Sequence, residues 1–233
     1  MAISDLDRAI LSYKDALEVN PRDAVASANL SLALFLAGDY RNGWLEYDNR
    51  FGTKRGRELL GATPQCPVWD SSLLTPASPL LLVSEQGLGD ALQFMRYVHM
   101  FRHKGISVSL CAPANLHTLI QVAGIDPAPL TPDQANHVTE GLWIPILSVP
   151  RHLGVNPDNP IITEPYIRST PLLVEKWRGI LTPEQRPIIA IHWQGNPESE
   201  KTNANGRSLP LETFSPLASR TDVTLLSLQG PMQ

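Results

Sequence analysis

The stretch Leu80-Leu81-Leu82-Val83-Ser84-Glu85-Gln86-Gly87-Leu88-Gly89-Asp90 decides the fold class. Four apolar residues in a row fit a strand covered on both faces, as in a parallel sheet. Gly87 and Gly89 mark a turn, and the amphipathic run 91–103 marks a helix. Strand, glycine turn and helix start in succession form the junction where α/β proteins hold ligands, because free backbone N–H groups and the positive helix end converge there. The Asp90 carboxylate stands beside that junction.

Downstream the alternation continues. Apolar runs at 107–111, 143–146, 187–193 and 223–228 read as strands. Runs at 115–122, 147–153, 172–180 and 210–218 read as helices, with Trp177 expected to face a core. Helices alternating with buried strands predict a parallel α/β sheet with right-handed crossovers.

Upstream the chain is built differently. Of its 21 prolines, all but Pro21 lie beyond residue 60. Residues 4–51 read as helix, turn, helix, helix, with Ile10, Tyr13, Ala16 and Leu17 at helical spacing before Asn20-Pro21. Residues 52–79, basic at Lys54, Arg55 and Arg57 and then rich in Pro, Ser and Thr, read as a linker. The expected division is therefore a helical segment 1–51, a linker 52–79, an α/β domain 80–170 and a partial second α/β domain 171–233.

Composition narrows the classes of function. A hydrophobic content of 42% and a charged content of 18% describe a globular chain of 233 residues. A formal charge of -4 gives no electrostatic reason to expect nucleic acid. No apolar stretch is long enough to span a bilayer. Two cysteines, Cys66 and Cys111, make no disulfide framework, which points to a cytoplasmic protein. Cys111 reads as a buried small hydrophobe.

Several motifs bear on chemistry. Gly87-x-Gly89 falls short of a dinucleotide fingerprint, since Leu92 stands where the third glycine belongs and no acid ends the second strand. His99 and His103 have metal-compatible spacing without an apparent third ligand. Asp90 either caps its helix or, held ionised by the helix end, accepts a proton from a hydroxyl. A second polar cluster, His192-Trp193-Gln194-Gly195-Asn196-Pro197, follows the 187–193 strand. Arg207 and Ser208 precede the 210–218 helix, suited to meet an anion and to donate a hydrogen bond.

Ala9-x3-Tyr13-x2-Ala16-Leu17-x2-Asn20-Pro21 with Gly38-Asp39-Tyr40 resembles tetratricopeptide repeats, whose small residues let helices pack closely. Pro67-x-Trp69-Asp70, the block 81–97, Ile144-Pro145-Ile146-Leu147-Ser148-Val149-Pro150, His192-Trp193-Gln194-Gly195-Asn196-Pro197, Arg207-Ser208-Leu209-Pro210-Leu211 and Ser227-Leu228-Gln229 look like bacterial proteins that join such repeats to a heptosyltransferase-like domain. The resemblance implies a GT-B fold of two facing Rossmann-like domains, of which 80–170 is the acceptor side. It implies an inverting, metal-independent transfer of sugar from a nucleotide-sugar donor to an acceptor hydroxyl, with no cofactor. Asp90 maps onto the family's proposed base, and Arg207, less closely, onto its phosphate-binding residue. Gln86, Gly87, Gly89, Trp193, Asn196 and Ser208 are the expected substrate contacts. The sequence stops near the second strand of the donor-side unit, so weak donor binding and weak turnover are expected of this chain alone. The alternative is a non-catalytic interaction module, its repeats binding a protein partner.

Overall fold

The computed structural model describes residues 3–75, 78–161, 164–195 and 208–229. It is a mixed helix-and-sheet, α/β protein that divides into two compact units, Met1–Ser169 and Thr170–Gln233. Among the described residues no helix is long and apolar enough to cross a membrane.

The first unit opens with α1 (Ile3–Val19), α2 (Ala24–Leu36) and α3 (Tyr40–Tyr47). Asp23 caps α2, accepting from the Val25 and Ala26 amides at 3.0 Å, and Asp39 caps α3 through Asn42 N at 3.2 Å. The α2–α3 approach is close because Gly43 has no side chain: a Cβ there would stand 2.5 Å from the Phe35 ring. A 3₁₀ turn, Asp48–Gly52, carries the chain out of α3.

A parallel three-stranded sheet follows, in the order β2-β1-β3. Its strands are β1 (Leu80–Val83), β2 (Val108–Cys111) and β3 (Leu142–Pro145), with Leu80 paired to both Val108 and Leu142. Leu80 and Leu82 face one core, built with Met95, Val98, Phe101 and Ile120. Leu81 and Val83 face the other, built with Ala62, Cys66, Cys111, Ala135 and Trp143. Both faces are covered, which is why β1 is apolar at every position.

The second face corrects the reading of 52–79 as a linker. Residues Lys54–Glu58 form α4, and Ala62, Cys66 and Trp69 are buried. Gly61 N bonds Ser84 O at 3.1 Å and Trp69 N bonds Trp143 O at 2.8 Å, so this segment is a cover for the sheet. Its Pro, Ser and Thr content reflects irregular backbone rather than freedom.

The expected helix 91–103 is two helices, α5 (Leu88–Phe94) and α6 (Arg96–His103). The Tyr166 hydroxyl donates to Leu92 O at 2.7 Å and lies 3.1 Å from Gln93 O, while Arg96 Nε also bonds Gln93 O. Side chains thus take the carbonyls that Arg96 and Tyr97 amides need to continue the ladder, and the helix turns at buried Met95. The crossover from β2 to β3 carries α7 (Ala114–Val122) and α8 (Pro132–Ala135), the latter unanticipated although Thr131 and Gln134 form its capping box. The expected 147–153 helix is a 3₁₀ turn, Ile146–Ser148, followed by α9 (Val149–Leu153).

The second unit contains α10 (Pro171–Leu181), a parallel pair of strands β4 (Ile188–Ile191) and β5 (Thr224–Ser227), and α11 (Ser215–Ala218) after a 3₁₀ turn. Pro216 has no N–H to give Glu212, so 210–218 cannot be one α-helix. None of the described residues here is buried, and Trp177, expected to face a core, is 47% exposed. A pair of four-residue strands offers too little surface to bury a helix face.

Gly141, at φ +82, precedes β3, and a Cβ there would lie 2.4 Å from Pro79 O. Gly141→Ala should lower the urea-denaturation stability of the first unit by about 1–3 kcal/mol, since backbone strain and the clash act together.

Candidate functional site

In the order β2-β1-β3, the chain leaves the central strand toward one side and later returns on the other. The crevice at the carboxyl ends of β1 and β3 is the topological switch point, where open α/β sheets receive ligands. Ser84 to Asp90 leave β1 there, and Ile146 to Ser148 leave β3.

The crevice floor is occupied by an arginine from the helical segment. Arg50 is 6% exposed and Glu85 4%. Arg50 Nε bonds Glu85 Oε2 at 2.9 Å, and Nη2 bonds Glu85 Oε1 at 2.7 Å and Ser148 Oγ at 3.0 Å. Nη1 donates to Tyr47 O and Asp48 Oδ1, both at 3.0 Å. Every guanidinium N–H has an acceptor, and the Tyr47 and Phe51 rings lie 4.2 and 4.1 Å from Cζ. Leu147 N and Ser148 Oγ extend the network, to Glu85 and Asp48 respectively, and Arg151 closes it on Asp48 Oδ2 at 2.8 Å. Burial pushes the Glu85 carboxyl above its ordinary value, against the pull of Arg50 and the Leu147 amide. Burial is the main cause because the group has almost no water contact.

Four sequence-predicted residues meet just above this floor. Gln86 adopts a left-handed backbone, φ +61, which turns the chain from β1 into α5. Its N–H is fixed on Leu59 O at 2.9 Å and its side-chain amide donates to the Tyr47 hydroxyl, so the residue is committed to protein contacts. Gly87 donates its N–H to Asp90 Oδ2 at 3.0 Å. A Cβ on Gly89 would meet nothing within 4 Å, which leaves open space over this turn. Asp90 is partly exposed, and its second oxygen, Oδ1, has no hydrogen-bond partner among the described residues. Asp90 therefore caps α5 with one oxygen and presents the other.

In the second unit, Gly195 N bonds Ser208 Oγ at 2.8 Å and Leu209 N bonds Trp193 O at 2.8 Å. Trp193 and Ser208 thus come together at the carboxyl ends of β4 and β5, beside Gln229, which accepts from Gln194 N. Asn196 and Arg207 lie outside the described residues.

Other candidates are weaker. Among the described residues no group of three potential ligands gathers around His99 and His103. Cys66 and Cys111 are buried free thiols, and burial pushes Cys111 up to about 12, which makes it inert. Ser71 hydrogen-bonds the His152 ring, and that ring stacks on Trp69 at 5.0 Å. No carboxylate accepts from the other ring nitrogen of His152 among the described residues, so the pair lacks the group that would orient a base.

Set against protein-family models, curated proteins and solved structures, the chain matches none. The site therefore rests on its own geometry. Sequence reading singled out Asp90 but missed Arg50, Tyr47 and Ser148, whose roles arise from contacts across up to 100 residues. The one local hint was an arginine set between Tyr47 and Phe51.

Removing one partner of a buried pair strands the other charge. Arg50→Met should cost about 3–5 kcal/mol in chemical denaturation. A double-mutant cycle with Glu85→Leu should show coupling of at least about 1.5 kcal/mol, whereas additivity within about 0.5 kcal/mol would mean the two groups act independently.

Proposed function

We propose that this chain is the acceptor-side part of an inverting, metal-independent glycosyltransferase of GT-B type, preceded by tetratricopeptide-like helices and followed by part of a donor-side unit. The observation that carries the reading is the half-occupied carboxylate of Asp90. It stands at the carboxyl end of the central strand, partly exposed, with Oδ2 on Gly87 N and Oδ1 unpartnered among the described residues. Such a group can take the proton of an acceptor hydroxyl as that oxygen attacks the anomeric carbon and the nucleoside diphosphate departs. The fixed Gln86 turn holds the carboxylate in place, and orientation of this kind lowers the barrier. Trp193, Asn196, Arg207 and Ser208 are proposed for the donor side, with Arg207 and backbone amides offsetting diphosphate charge. The setting we propose is cytoplasmic.

The competing reading, a non-catalytic interaction module, draws on α2. That helix carries no charged side chain and leaves Val25, Leu32 and Leu36 59%, 54% and 75% exposed. Large apolar side chains left open along one helix favour a protein partner for the helical segment.

The test is sugar transfer from UDP-, GDP- and ADP-sugars by the longest product of the gene that contains this sequence. Asp90→Asn keeps an oxygen for the Gly87 amide and removes the basic group. Transfer should fall by about 10²–10⁴-fold with unchanged thermal stability. Undiminished transfer would reduce Asp90 to a helix cap, and transfer by neither protein would favour the interaction module.

A further inference from the structure

A cleft of about 340 Å³ opens between α3, the α5–α6 corner and the segment 155–161. Its walls include Tyr40 and Trp44 from α3, and Phe94 and Tyr97 from the corner. The Trp44 and Phe94 rings stand 6.4 Å apart at 80°, and Phe94 and Tyr97 5.9 Å apart at 51°. Aromatic faces therefore point several ways around one cleft.

Its polar groups are few and open. Tyr97 is only 5% exposed, yet its hydroxyl has no partner among the described residues. Burial pushes that phenol up to about 12, so it remains a hydrogen-bond donor across the neutral range. The Gln93 side-chain amide makes no hydrogen bond among the described residues. Arg96 bonds Gln93 O through Nε at 2.7 Å, and its terminal nitrogens make no hydrogen bond among the described residues. Arg96 is the one charged residue lining the cleft among the described residues.

Aromatic faces with a small set of planar amide, guanidinium and phenol donors suit one ligand class above others. A pyranose ring presents apolar C–H faces that lie against aromatic rings, and an equator of hydroxyls that needs such donors and acceptors. A purely apolar ligand would leave the Tyr97 hydroxyl and the Gln93 amide unanswered, at a cost in affinity. Position adds a further argument. Gln93 and Phe94 follow Asp90 by three and four residues on α5, so they lie on its face about one turn, or about 5 Å, away.

We infer that this aromatic cleft, built jointly by the helical segment and the sheet's first crossover, binds a saccharide whose free hydroxyl reaches Asp90. As the acceptor subsite it rests on the glycosyltransferase reading; as a saccharide site it stands on the cleft itself. The lone Arg96 charge favours a sugar bearing a carboxylate.

Saturation-transfer NMR and titration with methyl glycosides of glucose, galactose, mannose, N-acetylglucosamine and glucuronate test this on the intact chain. Gln93→Ala, Tyr97→Phe and Asp90→Asn are compared with it, their folding checked by circular dichroism and urea denaturation. At least one glycoside, with glucuronate foremost, should bind the unmodified chain. Gln93→Ala and Tyr97→Phe should each weaken it about tenfold, the loss of about one ligand hydrogen bond. Asp90→Asn is read for transfer. Absence of binding by every glycoside, or affinity unchanged in both Gln93→Ala and Tyr97→Phe, overturns the inference. Transfer that persists in Asp90→Asn overturns the catalytic reading alone, since binding in the cleft is read without a donor.

Discussion

The structure of the first unit depends on one buried ion pair. Arg50 and Glu85 are 35 residues apart, and neither can be buried alone without a cost of several kcal/mol. Each is tolerated because the other is present and because Ser148, Asp48, Tyr47 O and Leu147 N complete their hydrogen bonds. That requirement ties three parts of the chain together: the exit from α3, the end of β1 and the end of β3. The helical segment is thereby fixed to the sheet at the place where the sheet would otherwise be open.

The same pair shapes what a ligand can reach. The switch point of the sheet is floored by the protein's own guanidinium, whose N–H groups are all taken by protein acceptors and are not free for a ligand. The accessible chemistry moves outward to Asp90, to the space above Gly89 and to the aromatic cleft along α5 and α3. Gln86 belongs to the floor, for its left-handed backbone and its contacts with Leu59 and Tyr47 are the hinge between Glu85 below and Asp90 above.

The parallel α/β character was legible because four consecutive apolar residues at 80–83 require cover on both faces, and the glycines at 87 and 89 require a turn. The strand positions followed from the apolar runs within two residues. What failed shares a cause. Residues 52–79 look like a linker because irregular backbone and loose chain have the same composition, and only the contacts of Ala62, Cys66 and Trp69 separate them. The break at Met95 has no proline or glycine to announce it; it comes from Tyr166, more than 70 residues away. A helix at 172–180 suggests a core for Trp177, but sequence does not count how much sheet is there to cover it. Of the candidate site, Asp90 was readable from its place after a strand, while Arg50 was not, since its partner is set by tertiary packing.

Hydrogen exchange decides whether the helical segment and the sheet form one cooperative structure through Arg50 and Glu85. Amides of 24–47 and of 80–83 are to be followed in the unmodified chain and in Glu85→Gln. Both groups should lose protection together, each by at least about tenfold. Loss confined to 24–47, with 80–83 unchanged, would contradict it and make the helical segment a separate module.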